Sequence, residues 1–183
     1  MSLKAFVKVG TLSNLGDVRY CAGMGVDMIG FQVIPGQPDY LEPERFQEIR
    51  GWVSGPLFVA EIYGLADNTG LGSVLENYKP DYLELGVQEA ALLVSYPLPY
   101  ILRLLPGETM PALPVKPDWI ITNELHAYYD APLMLQADTV ESITEAMNSQ
   151  AIKGIAFKVE AATLSGAGVH EHLGPLLEMM EED

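Results

Sequence analysis

The chain has 183 residues and a formal net charge of −15, with 10 Lys and Arg against 25 Asp and Glu. Nucleic-acid binding needs clustered bases, and the few here are scattered, so that partner class is excluded and the acidity reads as solubility. One cysteine, Cys21, excludes an intramolecular disulfide and a cysteine-built zinc site, and no apolar run approaches the ~18 residues of a membrane span.

The length suits a single domain over residues 1–183, large enough to bury roughly 70% of its unfolded surface. The opening Met1-Ser2-Leu3 has no charged stretch leading into an apolar one, so no signal peptide is expected and the expected compartment is the cytoplasm. Ala5 to Val9 is strand-like. Asn14 opens a helical pattern reaching Gly25, with Leu15, Val18, Cys21 and Ala22 on one apolar face. Met28 to Val33 is the next strand, and Pro35 to Pro38 a loop. Glu42 to Trp52 reads as a helix with Pro43 in its first turn. Leu57 to Ile62 is a third strand and Leu71 to Tyr78 a helix. Tyr82 to Leu85 is a fourth strand and Gln88 to Tyr96 a helix. Tyr100 to Leu105 is a fifth strand.

The pattern then weakens. Pro106 to Pro117 carries four prolines and cannot hold a normal helix. Trp119 to Thr122 is a sixth strand, and only the short stretch Asn123 to Asp130 precedes a seventh, Leu133 to Gln136. Thr139 to Ser149 is helical, with Asp138 or Thr139 as N-cap. Ile155 to Val159 is the eighth strand. Val169 to Met180 is a helix that Pro175 should kink or split. Eight short strands, mostly separated by helices, predict parallel pairing through right-handed crossovers and an α/β fold of the (β/α)8 TIM-barrel type, shortened around strands 5–7. An open doubly wound sheet is the competing fold.

In such a barrel, chemistry sits where strands end at the C-terminal face. Polar residues collect there: Lys8, Gln32, Glu61, Glu84, Arg103, Asn123, Gln136 and Lys158. Two readings stand side by side. These groups form a small polar pocket, or they pair across the barrel mouth and bind nothing. Strands one and eight adjoin on closure, so Lys8 and Lys158 are expected to be neighbours that depress each other's pKa. His126, His170 and His172 make no metal pattern, and no metal or cofactor is expected.

The stretch Lys8-Val9-Gly10-Thr11-Leu12-Ser13-Asn14-Leu15-Gly16-Asp17 resembles the first βα unit of the phosphoribosylanthranilate isomerases, which reads Lys-Ile-Cys-Gly-x-Thr-Asn-x-Glu-Asp. Ala22 to Phe31 is similar to that family's Ala-Gly-Ala-Asp-x-x-Gly-Phe. Pro35 to Leu41 is similar to its Pro-x-Ser-Pro-Arg-Tyr-Val, and Pro80 to Leu85 stands where it has Asp-x-x-Gln-Leu-His-Gly. The likeness is good over the first half and faint after Tyr100.

The resemblance implies a TIM barrel and an Amadori rearrangement of an aminosugar phosphate in tryptophan biosynthesis, run by a base and an acid. The residues expected to do this are changed. The position of the family's Cys base is Gly10, and that of its Asp acid is Asn123. Its carboxylate-binding Arg corresponds to Asp39, a reversal of charge. Its phosphate-holding Gly-Gly-Thr-Gly-Lys becomes Glu124 to Tyr129. Its Ala-Gly-Gly becomes Gln136-Ala137-Asp138, and its Ser-Ser-Gly-Val-Glu becomes Lys158-Val159-Glu160. The expectation is an isomerase-like barrel that has lost this reaction and binds a small polar metabolite or a partner, as a monomer or homodimer. Gln32, Asp39, Arg103 and Gln136 are its candidate binding residues. The alternatives are changed chemistry at the same rim, or an isomerase that still works. Changed chemistry would be a sugar isomerase, an epimerase or a Schiff-base lyase using Lys8, Lys158, Glu61 or Glu84.

Overall fold

The computed structural model describes residues 3–125, 129–159 and 168–182. Its strands are β1 (Phe6–Gly10), β2 (Met28–Gln32), β3 (Leu57–Glu61), β4 (Tyr82–Leu85), β5 (Tyr100–Arg103), β6 (Trp119–Thr122), β7 (Leu133–Gln136) and β8 (Ile152–Lys158). They close into a barrel in chain order. Every adjacent pair is parallel, and β8 returns to β1 with Lys158 opposite Gly10 and Ala156 opposite Lys8. The open-sheet alternative is therefore set aside.

The helices are α1 (Leu15–Gly23), α2 (Pro43–Trp52), α3 (Asn68–Tyr78), α4 (Val87–Leu92), α5 (Val140–Asn148) and α6 (Val169–Glu178). Side-chain caps start three of them: Asn14 accepts from Asp17 N, Asp67 from Gly70 N and Thr139 from Ser142 N. The helix expected to reach Tyr96 stops at Leu92, with Leu93 already extended at ψ 128. The tyrosine folds back instead, its hydroxyl donating to Ala90 O at 3.0 Å. No helix follows β5, as its four prolines require, and the described residues between β6 and β7 hold none. Pro175 does not split its helix: α6 runs unbroken through it. The ring costs one bond, to the carbonyl of Glu171, while Val169, Leu173 and Leu177 stay buried against the barrel. Among the described residues no helix is long and apolar enough to cross a membrane.

Inside the barrel, inward side chains stack in layers. Phe6 and Trp119 stack at the lower end with ring centroids 4.8 Å apart. Above them lie Met28, Val59, Ile101, Ile121, Met134 and Ala156. The upper layer is charged. Outward strand residues such as Val7, Ile29, Leu83 and Ile120 join the helices in the larger core.

A recurring device fastens the lower end. An aspartate stands just before each of β2, β4 and β6 and grips the first part of the preceding strand. Asp27 Oδ2 accepts from Val7 N at 2.7 Å, Asp81 Oδ2 from Phe58 N at 2.8 Å, and Asp118 Oδ2 from Tyr100 N at 3.0 Å. Each aspartate N–H donates back to the carbonyl of that same residue. Both backbone groups of a strand-end residue are thereby satisfied where no further ladder bond exists. Replacement Asp118→Ala leaves the N–H of buried Tyr100 without its acceptor. It is expected to cost about 1–3 kcal/mol, read as a lower urea midpoint at unchanged slope.

Candidate functional site

The charged upper layer is one connected cluster. Lys8 projects along the barrel axis, fully buried, and its Nζ lies 2.9 Å from Glu61 Oε1 and 2.5 Å from Glu84 Oε2. Arg103 Nη2 is 3.0 Å from Glu84 Oε1, and its Nη1 donates to Gln136 Oε1 at 2.5 Å. Tyr63 donates its hydroxyl to Glu84 Oε1 at 2.6 Å and accepts from Arg103 Nε at 2.9 Å. Thr11 donates twice to Glu61, from its N–H at 3.1 Å and its hydroxyl at 2.8 Å. These two bonds hold Thr11 at φ 62, a left-handed conformation that a β-branched residue rarely adopts.

Two cations and two carboxylates balance, so no net charge is buried. Burial alone would push the Glu84 carboxyl up, but Lys8 and Arg103 outweigh it and hold it at about 2, below its ordinary 4.5. Burial alone would lower Lys8, but Glu61 and Glu84 more than offset it and its pKa is raised. Tyr63 is pushed well up, by burial and by the adjacent Glu84. Lys8 and Glu84 are thus held in their charged, paired forms.

Two cavities open above this floor. One, of about 310 Å³, is lined by Thr11, Gln32, Gln37, Pro38, Asp39, Glu61, Tyr63 and Lys158. The other, of about 270 Å³, lies by Val87, Glu89, Arg103, Leu105 and Glu108, and shares Tyr63 and Lys158 with the first. The residues singled out in the sequence separate into distinct places. Lys8, Glu61, Glu84, Arg103 and Gln136 meet in the cluster, and Asp39 and Lys158 stand on the cavity walls. Gln32 is buried, its amide tied to Tyr63 O and Ile34 N. Asn123 is exposed and lines neither cavity.

One expectation is corrected. Lys8 and Lys158 do not face each other as a mutually depressing pair, because register sets Lys158 beside Gly10 and Lys8 lies one inward step below. Lys8 is matched to two carboxylates and its pKa rises instead. Of the segments aligned with the phosphate loops, His126, Ala127, Tyr128 and Glu160 fall outside the described residues. Among the described ones, no group of His, Cys, Asp or Glu could hold a metal ion.

Thr11, Tyr63 and Glu89 were not foreseen. The period-two pattern of β3 carries Val59, Glu61 and Tyr63 to one face, so Tyr63 was readable by extending the strand. Glu89 was not, because its role is to accept from two turn amides, Gly64 N at 2.9 Å and Gly86 N at 3.1 Å.

No protein-family model matches the chain. A curated N-(5'-phosphoribosyl)anthranilate isomerase from Nitrobacter winogradskyi is 31% identical over 87 residues, 48% of this chain and 39% of that protein. Solved structures agree along nearly the whole length. TrpF from Jonesia denitrificans superimposes with a TM-score of 0.73 at 13% identity, covering 95% of each chain. Phosphoribosyl anthranilate isomerase from Thermus thermophilus gives 0.70 at 14% identity, covering 94% of this chain and 96% of its own. Over about half its length the chain is similar in sequence to phosphoribosylanthranilate isomerases, and its barrel is like theirs. The sequence match spans 39% of the curated relative's length, and at these identities the solved structures establish the barrel.

At Gly10, where the resemblance puts the base, any side chain would have to displace the ends of Glu61 and Lys8. A Cβ built on Gly10 would stand 2.5 Å from Glu61 Oε1 and 2.8 Å from Lys8 Nζ, and one on Gly30 would approach the same carboxylate more closely still. The two glycines leave room for the ion pair.

Glu84 predicts a pH dependence. Its folded pKa lies below its unfolded one, so its contribution is full above pH 4.5, shrinks below that, and is gone below about 2. Replacement Glu84→Gln leaves Lys8 and Arg103 short of a carboxylate and is expected to cost about 3–5 kcal/mol at neutral pH. Its unfolding free energy should fall less steeply than the parent's between pH 4.5 and 2 in denaturant titrations.

Proposed function

We propose that this barrel does not carry out the isomerisation named for its curated relatives and instead holds a small polar metabolite in its mouth. One observation carries the reading. The volume in front of Gly10, where the resemblance puts the base, is filled by the buried Lys8–Glu61 pair. A proton acceptor cannot stand there without displacing a charge-balanced cluster. The other changes point the same way. Asn123 offers an amide where the resemblance asks for an acid, and it is exposed outside both cavities. Asp39 sets a carboxylate where the resemblance has a guanidinium.

The metabolite reading is supported by the two cavities above the cluster, both lined in part by hydrogen-bonding side chains. A Schiff-base lyase centred on Lys8 is disfavoured, because that amine is fully buried, doubly paired and raised in pKa.

Expression in a tryptophan auxotroph lacking its own isomerase tests the reading. No growth without tryptophan is expected from the native chain or from Gly10→Cys. The added side chain of Gly10→Cys should also lower stability by about 1–3 kcal/mol through overpacking. Growth supported by the native chain would overturn the proposal.

A further inference from the structure

The cavity above Thr11 and Glu61 has hydrogen-bonding demands that limit what can fill it. Thr11 has committed its hydroxyl hydrogen to Glu61 Oε2, so toward the cavity that oxygen can only accept. The charge of Glu61 is met by Lys8 at 2.9 Å, which leaves the floor neutral. On the wall, Asp39 has no hydrogen-bond or ion-pair partner among the described residues. Asp39 sits at φ 60 in the turn after Pro38. Asn adopts that conformation as readily as Asp, so the turn does not explain the charge.

The wall therefore presents a carboxylate with no hydrogen-bond or ion-pair partner among the described residues, in the same cavity as an acceptor hydroxyl. Gln37, on the same wall, can either donate or accept. The whole chain, at −15, draws cations toward it. Lys158 also lines the cavity, where it disfavours a second positive charge on the ligand.

We propose that this cavity binds a small hydroxylated primary amine, with its single ammonium group on Asp39 and a hydroxyl donating to Thr11. The proposal rests on the reading of the mouth as a metabolite site and specifies its ligand class.

The test is an NMR titration of the full-length, 15N-labelled protein at fixed ionic strength with glucosamine, glucose and glucose 6-phosphate. Glucosamine is expected to bind at least about tenfold more tightly than glucose, and to shift the amides of Thr11, Gln37 and Asp39. In Asp39→Asn the preference for glucosamine should vanish with the melting temperature unchanged, since the carboxylate makes no contact that supports the fold. Equal affinity for the two sugars, a preference that survives in Asp39→Asn, or tightest binding of glucose 6-phosphate would each overturn the amine assignment. If glucose or its phosphate still shifts the mouth amides, the metabolite site stands and only the ligand class falls. If none of the three probes shifts them, both fall.

Discussion

Lys8, Glu61, Glu84 and Arg103 have to neutralise one another, because each is enclosed by barrel strands and an unpaired charge there would be prohibitively expensive. Much of the upper barrel follows from that requirement. Gly10 and Gly30 lack side chains so that the Lys8–Glu61 pair has room. Thr11 accepts a strained backbone to supply two donors to Glu61. Tyr63 and Gln136 take up the remaining valences of Glu84 and Arg103. The neighbourhood is organised around the cluster rather than around a bound substrate.

Fold and chemistry are separate questions in this barrel. A barrel is a scaffold on which many reactions are mounted, and the scaffold here is that of the phosphoribosylanthranilate isomerases. The space in front of Gly10 is occupied by a lysine from the same strand and a glutamate two strands away.

The barrel was legible in the sequence because strand and helix periods alternate along it, and because the prolines after Arg103 forbid a helix that the fold can omit. Element ends were less legible. α4 ends at Leu92, a turn short of the tyrosine the pattern pointed to, while α6 kept its continuity because tertiary burial outweighs one missing hydrogen bond. Which charges would converge was also visible, since Lys8, Glu61, Glu84 and Arg103 interrupt apolar strands. That they would pair with one another was one of the two readings, but which cation meets which carboxylate was not legible. The place of Lys158 depends on the register between β1 and β8, which sets Lys8 against Ala156 and Lys158 against Gly10. Glu89 escaped notice because a carboxylate that caps turn amides has no periodic signature.

The aspartate grips at the lower end bear on how the chain assembles. They join residues 20, 23 and 18 positions apart, each closing one odd strand onto the even strand that follows it. Loops of that length lose little entropy on closure, so three two-strand modules can each be secured by contacts near in sequence. The expensive closure is concentrated at a single seam, where β8 meets β1 across nearly the whole polypeptide.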